Sequence, residues 1–154
     1  MSRINILQLP GSSDPLQVKG RGLEVLNNPW LNKGTSFSLD ERRALGLSGL
    51  LPPFVANMEE QAQRVLENYC HHVDPLDKYI FLTGLADRNA TLFYRFLMEH
   101  LEDTTPIMYT PTVGHACQKF GHIYRKNRGM YIQKRHQGRI AEVLENWPKD
   151  EVDI

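Results

Sequence analysis

A mainly helical domain followed by the opening strand and helix of an α/β layer is the fold class the sequence predicts. Three observations carry it. Capping signals mark four helix starts, at Ser38, Asn57, Asp74 and Asn89, and the last three lead into apolar residues at helical spacing. After residue 129 the pattern changes to a short strand, a helix and a strand that stops after three residues. A length of 154 residues admits one domain with a real core together with the beginning of another. Residues 1–22 are therefore read as a flexible arm, 23–129 as the helical domain and 130–154 as the truncated start (strand, helix, strand) of an α/β domain.

In the arm, turn formers (Pro10-Gly11-Ser12-Ser13-Asp14-Pro15, then Gly20 and Gly22) surround short apolar pieces, the pattern of an extended segment that orders against a partner. Leu31-Asn32-Lys33-Gly34 closes it. Ser38 and Glu41 form a capping box, each side chain satisfying the other's backbone donor, at the head of a short helix that ends near Gly46. Leu50-Leu51-Pro52-Pro53 is a stiff connector, because each proline fixes its own φ and pushes its predecessor out of the helical region. Asn57 with Glu60 starts a helix whose Ala62, Val65, Leu66 and Tyr69 form one buried stripe. Asp74-Pro75 starts the next, with Leu76, Tyr79, Ile80 and Leu82, broken at Asp87-Arg88-Asn89. Asn89 caps a helix carrying Leu92, Phe93, Phe96, Leu97 and Leu101, the most apolar face in the chain and its expected core centre.

Thr110 and Pro111 read as N-cap and first residue of a further helix. It is expected to bury Val113, Ala116, Cys117, Phe120, Ile123 and Tyr124 and to stop near 127–129. Beyond it, Met130-Tyr131-Ile132 is a strand candidate, 139–146 a helix with Ile140, Val143 and Leu144 on one side, and Val152-Asp153-Ile154 a second strand.

Eighteen basic and eighteen acidic side chains give a formal net charge of zero, which removes the overall positive field of a nucleic-acid binder. No Asp or Glu occurs in residues 104–141, while Lys119, Arg125, Lys126, Arg128, Lys134, Arg135 and Arg139 fall there. That asymmetry favours an anionic ligand near the second part, and equally describes a solvated helix face. Cys70 and Cys117 are too few for a disulfide scaffold and lack paired zinc-site spacing, so a reducing interior is expected. Without a basic region followed by an apolar core at the N-terminus, or an apolar run of membrane length, the expectation is a soluble, cytoplasmic protein without a membrane or nucleic-acid partner.

No complete active site is visible. His115 and Cys117 are two residues apart and point to different sides of a helix; His71-His72 has no aligned metal partners; no Gly-rich phosphate loop occurs. Tyr109 stands at the end of an apolar piece immediately before a helix start, where free N–H groups and the positive dipole end suit a small anion. A tyrosine becomes a general acid when a nearby cation lowers its pKa from about 10. A buried Tyr beside a capped helix is the plainer reading of the same residues. Arg64 and Arg88, on consecutive helices and beside the amides of Gln61, Gln63 and Asn89, can converge to fork a carboxylate, or can each pair with a surface acid.

Taken together, Leu-Asn-Lys-Gly from Leu31, Gly49-Leu50-Leu51-Pro52, Arg88-Asn89, Leu92-Phe93-Tyr94-Arg95, Tyr109-Thr110-Pro111-Thr112-Val113-Gly114, Arg128-Gly129 and Asn146-Trp147-Pro148 resemble the N-terminal part of malic enzymes. The resemblance covers nearly all of the chain after residue 22. It implies an enzyme that oxidises and decarboxylates malate to pyruvate and CO2 with NAD or NADP and Mg²⁺ or Mn²⁺, acting as a homodimer or tetramer. It assigns Tyr109 as the general acid that protonates the enolpyruvate intermediate. It also matches Gln61, Arg64 and Arg88 to the residues that bind a fumarate activator in some animal members. Related malolactic enzymes carry Asp where Thr110 stands, and this chain follows the malic pattern. The family's catalytic lysine, acidic metal ligands and Rossmann domain lie beyond the last residue of this sequence, so metal and cofactor sites are expected outside it and the chain is expected to be inactive alone. The alternative is a stand-alone dicarboxylate-binding or dimerisation module without catalysis.

Overall fold

The arm forms a ladder with itself rather than waiting for a partner: β1 (Asn5–Leu7) pairs antiparallel with β2 (Leu16–Val18), Asn5 opposite Val18 and Leu7 opposite Leu16. The structure, a computed structural model, describes residues 5–7 and 16–147, so the Pro10 to Pro15 turn formers and the 152–154 strand lie outside the described residues. The chain divides into two compact units, Met1–Ile123 and Tyr124–Ile154. The described part is mainly helical.

In the first unit, α1 (Leu23–Leu26) leads to a 3-10 turn at Gly34–Ser36 and then to α2 (Leu39–Ala44). The capping box of α2 is present: Ser38 Oγ accepts from the Glu41 N–H at 3.2 Å and Glu41 Oε2 from the Ser38 N–H at 2.8 Å. The helix ends as the Gly46 signal predicts. Gly46, at φ +70°, donates to the Arg43 carbonyl and Leu47 donates to the Arg42 carbonyl, the paired closure that a left-handed residue allows. Leu47 then drops into a small core with Val18, Val25, Phe37 and Leu45.

The main core lies between α3 (Met58–His71), α4 (Pro75–Arg88) and α5 (Ala90–Glu99). Their caps are those the sequence predicts: Asn57 with Glu60, Asp74 before Pro75, and Asn89, whose Oδ1 accepts from the Leu92 N–H at 3.0 Å. Ala62, Val65 and Tyr69 of α3 meet Leu82 and Leu85 of α4 and Leu92, Phe93 and Phe96 of α5. The rings of Tyr69 and Phe96 meet edge to face at 5.4 Å, and the Tyr69 hydroxyl donates to the Asp103 carbonyl at 3.1 Å. Burial pushes the Tyr69 phenol pKa up, with the Asp103 carboxylate adding to the effect.

Leu101 corrects the expected stripe. Backbone torsions at His100 leave the helical region, so α5 closes there and Leu101 opens a separate helix, α6 (Leu101–Met108), where it is 64% exposed. The next helix is also shorter than expected. It is split into α7 (Thr112–Gln118), which packs on α4 and α6, and α8 (Phe120–Ile123). Thr112 and Ala116 are buried, whereas Cys117, Phe120 and Tyr124 are exposed. Gly114 and Gly121 each cost a helix interior about 1 kcal/mol relative to alanine, and only the first turns of this segment have helices to pack against.

In the second unit, residues 130–132 are not paired into a ladder, which corrects the strand expected there; a strand exists through a neighbour's N–H and C=O groups, and no described residues supply them. A 3-10 turn at Lys134–His136 follows, and then α9 (Ile140–Glu145), the predicted helix, in which Arg139 donates bidentately to Glu142. Ile140 and Leu144 of its apolar side are about half exposed.

Candidate functional site

The rows Gln61, Arg64, Asn68 on α3 and Phe81, Leu85, Arg88 on α4 repeat at three- and four-residue spacing, so each set lies along one face of its helix. The two faces wall a cavity of about 310 Å³. Asn32, Gly34 and Thr35 of the 3-10 turn region and Asn89 and Leu92 at the head of α5 complete it. The three residues matched by resemblance to an effector site are thus brought together. Among the described residues no Asp or Glu lines the cavity.

The three do not play equal parts. Gln61 is buried, and both hydrogens of its amide are spent within the protein, on the Lys33 carbonyl at 3.2 Å and Ser36 Oγ at 3.0 Å. It is a strut between α3 and the turn. Arg64 is tethered at one nitrogen, Nη2 donating to Thr35 Oγ1 at 3.1 Å, and keeps the rest of its fork open. Among the described residues Arg88 has neither an acid nor a hydrogen-bond acceptor, and desolvation pulls its pKa below the usual arginine value. An arginine so placed stays charged at neutral pH, and an anion relieves its desolvation.

Gly34 lets the turn approach the Gln61 amide closely. It sits at φ +59°, and a Cβ built there would lie 2.7 Å from Gln61 Oε1. In the sequence, Asn32 to Gly34 carry only a turn signal, and neither Thr35 nor Asn68 stands out as a site residue. Asn68 was accessible by periodicity, four residues after Arg64; Thr35 carries no local signal.

Tyr109 is not among the residues lining this cavity. It is the C-cap of α6 and 69% exposed, in the turn between α6 and α7, so the buried tyrosine of the plainer reading is not what the structure has. The expected Thr110 cap is absent. The Val113 N–H, which that hydroxyl would have satisfied, donates instead to the Tyr109 carbonyl at 3.0 Å, and the helix starts one residue late with Pro111 as its boundary. Among the described residues no group of three or more His, Cys, Asp or Glu side chains is arranged to hold a metal ion, and no helix is long and apolar enough to cross a membrane.

The helical layer thus presents a cavity with two arginines in its lining, and Tyr109 stands exposed outside that lining. Sequence comparison gives the chain its relatives. Residues 86–154 match the family model "Malic enzyme, N-terminal domain". The chain is 44% identical over 146 residues to an NAD-dependent malic enzyme of Idiomarina loihiensis, covering 95% of this chain and 26% of that protein. It is 50% identical over 130 residues to an NADP-dependent malic enzyme of Dictyostelium discoideum (84% and 24%), and 45% identical over 143 residues to the mitochondrial NADP-dependent malic enzyme of Homo sapiens (93% and 24%). The chain is similar to malic enzymes along nearly its whole length, and it spans about a quarter of the length of the curated relatives it matches.

Proposed function

We propose that this chain is the N-terminal part of a malic enzyme, whose whole converts malate to pyruvate and CO2 with NAD or NADP and a divalent metal. The observation that carries this reading is the identity of 44–50% to proteins named NAD- or NADP-dependent malic enzymes, sustained over 84–95% of the chain. When bound, the nicotinamide accepts hydride and the metal polarises substrate oxygens. The contribution of this chain is Tyr109, whose phenolic proton goes to the carbon of enolpyruvate that becomes the methyl group of pyruvate. Its exposure in a turn between two helices supports that role, since a proton donor must reach its substrate. The reading takes the chain to be inactive alone, since it spans about a quarter of the length of the malic enzymes it matches. Two free thiols, Cys70 and Cys117, support a reducing compartment such as the cytoplasm.

The test is the intact mass of the polypeptide recovered from its source cells by antibody. A species several times heavier than 17.8 kDa is expected, and a species at 17.8 kDa that turns malate over, or that turns over nothing, removes the reading. A stand-alone module is the less favoured alternative, because the matching relatives are about four times longer.

The cavity supports a second role within the same enzyme. Arg64 and Arg88, facing a cavity whose described lining holds no carboxylate, make it a site for a small dicarboxylate such as fumarate, Gln61 acting as the strut that holds the wall. A homodimer or tetramer is the proposed assembly, supported by exposed apolar side chains such as Met98 and the stacked pair Trp30 and Tyr94.

A further inference from the structure

We propose that Arg42 is the positioning residue for this cavity, aiming Arg64 through Thr35. The proposal rests on the reading that Arg64 and Arg88 take the two carboxylates.

Arg42 is only 5% exposed, and every partner of its guanidinium is a backbone carbonyl. Nε donates to Phe37 O at 2.9 Å, Nη1 to Pro52 O at 2.6 Å, and Nη2 to Thr35 O at 3.0 Å and Phe54 O at 3.1 Å. A buried charge satisfied by dipoles alone is costly to assemble, and a planar fork with fixed donor directions is the side chain that can hold several carbonyls at once. What it fixes is the turn that walls the cavity. Thr35 is held at its carbonyl by Arg42 while its hydroxyl accepts from Arg64 Nη2 at 3.1 Å. The neighbouring residue of α2 repeats the device on the other side of Gly34: Glu41 accepts from Lys33 Nζ at 2.8 Å with both side chains nearly buried, and the Lys33 carbonyl accepts from Gln61. Helix α2, which contributes no residue to the cavity, therefore anchors both ends of the segment against which Arg64 is set. Arg88 has no such tether, so the two arginines should respond differently when the anchor is loosened.

The experiment uses Arg42→Lys, which keeps the charge and loses the fork, with the exposed Arg43→Lys on the same helix as control. Each arginine's modification rate by phenylglyoxal is followed by peptide mass spectrometry in the unliganded chain. The expected result is that Arg42→Lys raises the rate at Arg64 about threefold or more and leaves Arg88 within about 1.5-fold, because only Arg64 depends on the turn. Equal acceleration of both, which general loosening would give, or no change at Arg64, overturns the proposal. Titration with fumarate adds a second readout. Arg42→Lys should weaken binding about tenfold in the native background and less than about twofold when Arg64→Ala is already present, the coupling expected of residues acting through one another. Undiminished loss in the Arg64→Ala background overturns the relay. Failure of the unmodified chain to bind fumarate removes the dicarboxylate reading, and the phenylglyoxal pattern still decides whether Arg42 positions Arg64.

Discussion

Replacing Gly34 by alanine tests how the cavity wall is built. The backbone there is left-handed, φ +59°, which costs an L-residue about 1 kcal/mol or slightly more. The added Cβ lies 2.7 Å from Gln61 Oε1, closer than a real contact, so Gln61 must move. In moving it stretches or breaks its hydrogen bonds to Lys33 O and Ser36 Oγ, each worth about 1 kcal/mol. The expected loss is about 2–3 kcal/mol in urea unfolding with an unchanged m-value. Gln61→Ala separates the contributions: it abolishes the clash, so in that background Gly34→Ala should cost only the backbone part, about 1 kcal/mol. A loss below about 0.5 kcal/mol for Gly34→Ala alone, or strict additivity with Gln61→Ala, refutes the contact as the reason for glycine.

Three other outcomes follow from single side chains. Phe96→Ala, at a fully buried ring in the centre of the main core, should cost about 3–5 kcal/mol in the same assay. Arg88→Leu should leave stability unchanged or raise it by up to about 1 kcal/mol, since it removes a desolvated charge without an acid partner among the described residues, while fumarate binding measured calorimetrically disappears. The folded-state pKa of Tyr69 is raised, first by burial and then by Asp103, so its contribution is fully present below the unfolded tyrosine pKa and is lost as pH rises through the folded value. Tyr69→Phe should therefore flatten the fall in unfolding free energy above about pH 10, and an unaltered alkaline slope would contradict the assignment.

The caps were legible because each is a local transaction: Ser38 with Glu41, Asn57 with Glu60 and Asp74 before Pro75 satisfy donors within three residues, and helical periodicity then named Val65, Leu82 and Phe96 as core. Where the competing partner was not the expected one, the reading failed. Thr110 has the composition of a cap, yet the Tyr109 carbonyl took the donor it needed. Phe120 and Tyr124 have the spacing of a buried stripe, and spacing does not say whether anything covers it. The cavity divided along the same line. Arg64 and Arg88 stood out as paired forks and were joined to Gln61 by resemblance, whereas Thr35 and Arg42 reach the site through contacts 29 and 7 residues away in sequence, which no local pattern encodes.

The unequal tethering of the two arginines also predicts a selectivity. Arg64 is partly ordered before any ligand arrives, so a carboxylate bound there loses less side-chain entropy; Arg88 is desolvated and has no acid partner among the described residues, so it has the most to gain from a second negative charge. Once one carboxylate of a rigid diacid is seated, the other meets its arginine at a high effective concentration. Acrylate, which keeps the double bond and one carboxylate of fumarate, should then bind at least about tenfold more weakly, the loss of one charged hydrogen-bonded pair of about 1.5–3 kcal/mol. Competition calorimetry on the unmodified chain decides it. If acrylate binds within threefold of fumarate by this measure, only one arginine engages the ligand, and the cavity is a general anion site rather than one built for two carboxylates.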